Sequence, residues 1–186
     1  MEDIELFVNE EDLENGIEAI SLVEAPAIEE NFVALKKHKV EFKTIDEEKR
    51  IVIGLALVPD KKIYRKDGER EYNIYFSKDT VFKASELWMK RLKTNNVTLE
   101  HERPVDGVYW FQSWTVEDPK KDKSALYDLG AVEGSWVVMG RVVDDKVWND
   151  VKEGKYLGLS IEGFFSEKEE LSKEQILINE IKKIVG

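Results

Sequence analysis

The sequence predicts an α+β fold: a mostly antiparallel β-sheet or β-barrel with a few surrounding helices. Segments of alternating apolar and polar residues, rich in Val, Ile, Tyr, Phe and Trp, recur along the chain. Helical periodicity is confined to three segments, and short polar turns such as Lys66-Asp67-Gly68 separate neighbouring strands. Strands that outnumber helices and follow one another through tight turns favour antiparallel pairing.

Taken in order, IELFV, EAISLVE, NFVALKKHKVEFKTI, RIVIGLALV and REYNIYF read as strands. The following SKDTVFKASELWMKRLK reads as a helix, with Val81, Ala84, Trp88 and Leu92 forming one apolar stripe. Ser77 is its expected N-cap, and Asp79 suits the positive end of the helix dipole. NVTLEHE and GVYWFQSWTVE return to the strand pattern, and the polar connection DPKKDKSALYDLG leads to the strand GSWVVMGRVV. DDKVWNDVKEG is a short helix with an Asp cap and Gly154 just past its end. YLGLSIEGFF is the last strand. The C-terminal LSKEQILINEIKKIVG is amphipathic through Ile176, Ile178, Ile181 and Ile184. The expected organisation is one domain over residues 1–166, with residues 167–186 as a helix packed on it or serving as an assembly arm, which leaves a homo-oligomer open.

Composition narrows the function. The chain has 186 residues, 42% hydrophobic and 10% aromatic, enough for one real core. With 28 Lys+Arg against 39 Asp+Glu the net charge is −11, which disfavours sequence-independent nucleic-acid binding. The absence of cysteine excludes a disulfide scaffold, a zinc–thiolate site and a cysteine nucleophile. The apolar run IVIGLALV is far shorter than the roughly 20 residues that span a bilayer. An acidic N-terminus without an apolar signal core adds the expectation of a soluble, intracellular protein with no membrane partner.

Few groups are suited to chemistry. In YLGLSIEGFF, Leu157, Leu159, Ile161 and Phe165 fall on one face, while Tyr156, Gly158, Ser160, Glu162 and Phe164 fall on the other. A hydroxyl beside a residue with no side chain fills a core poorly. It reads either as solvent exposure or as a nucleophile with room around it. The pattern G-x-S-x-G is broken by Glu162, which disfavours a strand-to-helix nucleophile elbow. A P-loop, a dinucleotide glycine fingerprint and an HExxH helix are missing from the sequence. His38, in KKHKVEFK, reads as a surface imidazole. On spacing alone His101 reads either as a satisfied structural histidine or as a functional one, grouped by parity with Leu99 and Val97. Adjacent strand residues point to opposite faces, so Glu100, His101, Glu102 and Asp106 could not all meet one ion; no metal or cofactor is expected.

The segments ISLVEAPAIEENFVALKK (20–37), TLEH (98–101), QSWTVEDPKKDK (112–123), GSWVVMGRVV (134–143) and VWNDVKEGKYLGLSIEGFF (147–165), in this order and spacing, resemble the XkdF-like phage prohead serine proteases. That group is similar to the wider prohead proteases and, more remotely, to the herpesvirus assemblins. The resemblance implies a small β-barrel that pairs a histidine and a serine from two strands, here His101 as general base and Ser160 as nucleophile. It implies an endopeptidase that matures a phage procapsid inside the shell in the host cytoplasm, with capsid and scaffold precursors as partners. A non-catalytic shell or scaffolding component is the alternative. In the prohead proteases an acid precedes a motif resembling ISLV…PA on a strand after the serine. Here the motif lies near the N-terminus, which implies a circular permutation, and Ala19 stands where the acid would be. Glu24 is taken as the third member, with Glu18 and Glu162 as alternatives and plain solvated acids as the bland reading.

Overall fold

The computed structural model describes residues 1–24, 43–46 and 49–168. The segment 25–42 with His38, and the C-terminal helix expected from Leu171 onward, lie outside them. The strands are β1 (Glu2–Phe7), β2 (Gly16–Val23), β3 (Lys43–Asp46), β4 (Ile51–Leu57), β5 (Ile63–Asp67), β6 (Arg70–Phe76), β7 (Val97–Leu99), β8 (Arg103–Pro104), β9 (Val108–Thr115), β10 (Trp136–Val142), β11 (Gly158–Phe164) and β12 (Ser166–Glu167). Helices α1 (Lys78–Lys90), α2 (Lys123–Leu126) and α3 (Asp145–Lys152) complete a mostly-β, α+β molecule.

The described strands form three four-stranded sheets, ordered β12-β1-β6-β5, β3-β4-β10-β9 and β11-β2-β7-β8. No hydrogen-bonded barrel closes among them. Strands β4 and β11 lie against each other without a shared ladder. Most pairings are antiparallel, but β1 runs parallel to β6 and β2 parallel to β7. Tight turns signal only neighbours in sequence, so these two long-range parallel pairings carry no local signature. The short β5, β8 and β12 and the four-residue α2 were likewise not anticipated.

Each sheet contributes one face to the core. Ile20 and Leu22 of β2, Val97 and Leu99 of β7 and Leu159 of β11 are buried together with Val81, Ala84 and Trp88 of α1. Burying a side chain of this size stabilises by about 1.5–3 kcal/mol. The Trp88 and Trp136 rings meet edge to face at 5.3 Å. A second cluster of Ile53, Leu55, Val137 and Met139 covers the other face of β4 and β10, which explains why IVIGLALV is apolar on both parities.

The helix ends follow local chemistry. Asp144 caps α3 by accepting the Val147 amide at 2.8 Å, and Gly154 beyond it takes φ +73°. At α1 the outcome differs from expectation. Ser77 stands at the N-cap, but its hydroxyl meets Thr80 Oγ1 at 3.0 Å and caps no amide. Leu92 falls outside the buried stripe: α1 ends at Lys90, and Leu92 is left-handed (φ 57°) and exposed.

Candidate active site

The sheet β11-β2-β7-β8 turns Ile20, Leu22, Leu99 and Leu159 to the core and carries its hydroxyls on the opposite face. Register aligns Ser160 of β11 with Ser21 of β2, and Ser21 with Thr98 of β7. Aligned strand residues share a face, so three hydroxyl side chains form a row across three strands. Two residues along β11, Glu162 lies on the same face, directly opposite Ala19. The row is sheltered: Ser160 is 4% exposed and Ser21 is fully buried.

His101 enters this face from the turn that leaves β7. Glu100 and His101 both occupy the left-handed region, at φ 53° and 59°. The Glu102 amide closes the turn onto the Leu99 carbonyl at 3.1 Å. Non-glycine residues pay on the order of 1–2 kcal/mol each for such a conformation, so the surroundings must hold it. Three bonds do so. The Glu100 amide reaches the Leu22 carbonyl at 3.1 Å, the His101 amide reaches Ser21 Oγ at 3.0 Å, and the Glu24 amide donates to Glu100 Oε1 at 2.7 Å. Two successive left-handed residues end strand alternation. His101 therefore does not join Leu99 and Val97 on the core face, as parity suggests, but pairs with the carboxylate that also contacts Thr98.

The imidazole Nδ1 lies 3.2 Å from Glu162 Oε1, and Thr98 Oγ1 donates to the same oxygen. A carboxylate oxygen facing Nδ1 favours the tautomer with its hydrogen on Nδ1, which would leave Nε2 as an acceptor. Strands β11 and β7 are separated by β2, about 10 Å in all. Glu162 spans this gap over Ala19, whose single methyl leaves room for it. Among the described residues no hydrogen bond joins Ser160 to His101. The two belong to one face, with Glu162 two residues from the serine and touching the imidazole.

The other acids are placed elsewhere. Glu24 lies just past the end of β2, exposed, and its amide serves the Glu100 carboxylate. Glu18 sits on the strand parity opposite to Ser21 and is paired with Lys93. Among the described residues no group of three or more histidine or acidic side chains could hold a metal ion, and no helix is long and apolar enough to cross a membrane.

A cavity of about 380 Å³ opens beside β11, with Ser160 and Ile161 in its wall. Ile63, Ile74, Phe76 and Phe165 give it an apolar side, and Arg65 and Glu167 add charge. Ser21 and Thr98 were not singled out by sequence reasoning. Their signal is the parallel alignment of β2 with β7, which only the fold reveals.

No match was found among curated proteins or among solved structures. A protein-family model does match, over residues 39–169, which include β7 with its turn and β11. The chain therefore belongs to the family described as "Putative phage serine protease XkdF".

Proposed function

We propose that the protein is a serine endopeptidase that cleaves capsid and scaffold precursors during phage procapsid maturation, working inside the assembling shell in the host cytoplasm. Ser160 is the nucleophile and His101 the general base. The observation that carries this reading is the His101–Glu162 pair on the same sheet face as Ser160, in a member of a serine-protease family. Ser160 Oγ attacks the peptide carbonyl carbon as its proton passes to His101 Nε2. The imidazolium, held through Nδ1–H by Glu162, returns the proton to the leaving amine as the C–N bond breaks. Water, deprotonated by the same imidazole, then releases the acyl group and restores Ser160. Glu162 replaces Glu24 as the orienting acid in this scheme, because its carboxylate contacts the imidazole.

The pairing of β2 with β11 also supports the circular permutation: the ISLV segment lies beside the serine strand although it comes from the other end of the chain. A barrel would need β4 and β11 to join across the seam where they abut. One observation favours a non-catalytic shell component instead: Ser160 is nearly buried and not bonded to His101.

Co-expression with the cognate capsid precursor separates the two readings. A processed band is expected with the wild type. Ser160→Ala and His101→Ala should each reduce it by at least about 10³-fold. Undiminished processing by Ser160→Ala removes the nucleophile assignment. Normal shells with no processing by the wild type favour the structural role.

A further inference from the structure

Ser21 is a buried hydroxyl that the chemistry above does not use, yet it touches the residue that chemistry depends on most. Its Oγ accepts the His101 amide at 3.0 Å and donates to the Thr98 carbonyl at 3.3 Å. Both of its hydrogen-bonding roles are thereby taken, and it is fully buried, so it is not a second nucleophile. What it holds is a conformation that glutamate and histidine do not choose by themselves, φ 53° and 59° in succession.

We propose that Ser21 is a positioning residue: its hydroxyl fixes the left-handed Glu100–His101 turn to β2 and so delivers the imidazole to Glu162. This rests on the reading of His101 as general base. The backbone is the point of control. The bonded amide belongs to His101 itself, so a change in φ there swings the whole ring. Apart from the turn's own Glu102-to-Leu99 bond, the remaining ties from β2 hold Glu100 and not His101: its amide to Leu22, its carboxylate to the Glu24 amide at the exposed edge. Without the hydroxyl, the His101 amide loses its partner, and the turn is free to relax toward ordinary negative φ. The ring then leaves Glu162, and Nδ1 no longer has a carboxylate to fix its hydrogen.

The test compares wild type, Ser21→Ala and Ser21→Ala/Glu100→Gly. Glycine adopts positive φ without penalty, so at position 100 it lowers the cost of the left-handed pair and lets the turn's own Glu102-to-Leu99 bond hold His101, while giving up the carboxylate's bond to the Glu24 amide at the exposed edge. One readout is the imidazole tautomer from long-range ¹H–¹⁵N correlation, with the His38 signals identified by His38→Gln. The other is the rate at which a fluorophosphonate probe labels Ser160. The wild type should show a single Nδ1–H tautomer. Ser21→Ala should show mixed tautomers and label at least 10-fold more slowly while keeping its far-UV circular dichroism. The double variant should regain the tautomer and most of the rate. A serine that only fills space would give a defect that glycine at position 100 cannot repair. A wild-type tautomer in Ser21→Ala, or a folded double variant with no recovery, overturns the proposal. If the probe labels no variant but the tautomer is lost and rescued as described, the positioning role stands and the protease reading fails.

Discussion

Glu162 reaches the imidazole because the residue beneath it is an alanine. A longer side chain at position 19 would occupy the space the carboxylate crosses on its way from β11 to the far side of β2. The carboxylate is held at its far end by Thr98 as well as by His101, which fixes the orientation of both partners. Glu162→Gln keeps the shape but presents an amide whose nitrogen donates, so either tautomer of His101 can be accommodated. Activity of that variant should fall on the order of 10²- to 10⁴-fold with little change in KM, in the manner of an orienting acid lost from a serine–histidine site. Equal turnover by Glu162→Gln and wild type in single-turnover measurements would remove Glu162 from the mechanism. The candidacy of Ser160 and His101 comes from the resemblance of their segments to a protease family, and the presence of only two histidines narrows the choice of base. The choice among Glu18, Glu24 and Glu162 was not legible in the sequence. It depends on which strand lies between β11 and β7, and no spacing along the chain encodes that.

At the scale of elements, β11 and β2 meet at a bulge between Glu162 and Gly163. A Cβ placed on Gly163 would lie 2.1 Å from the Gly16 carbonyl oxygen, so the two backbones approach as closely as they do only because the residue is glycine. Gly163→Ala should force β11 away from β2, costing at least about 1–3 kcal/mol in urea denaturation and slowing Ser160 labelling together with it. A variant as stable as wild type would show that the strands can separate here without strain. Strand and helix positions were largely legible, since YLGLSIEGFF, RIVIGLALV and DDKVWNDVKEG carry strong period or cap signals. The turn at Glu100–His101 was not. Left-handed turns are usually announced by Asn or Gly. Here neither is present, and the conformation is held by the turn's own Glu102-to-Leu99 bond together with bonds from β2.

Across the whole molecule, the sheet that holds β1 is closed by the end of the described chain. The Lys168 amide bonds the Glu5 carbonyl at 2.9 Å, and its ammonium reaches Glu5 Oε2 at 2.8 Å. The hydrogen bond from Lys168 holds the Glu5 carboxyl below its ordinary value of 4.5, against the opposing effect of partial burial. A carboxyl depressed in the folded state stabilises above its unfolded value, and that contribution is lost as pH falls through the folded value. Urea midpoints of wild type and Glu5→Gln should therefore differ at neutral pH and converge as the pH is taken well below 4.5. A constant difference at all pH values would assign the effect to packing instead. The pairing of β2 with β7 on one side and with β11 on the other has a different consequence, one of timing. The three parts of the polar face come from residues 16–23, 97–101 and 158–164, spread over nearly the full length of the chain. Contacts at such separations form late in folding, and during translation they wait for the last strand to leave the ribosome. On the proposed chemistry, a nascent chain carries a histidine with no serine to activate, and the capacity to cut arrives only once β11 has emerged and paired with β2.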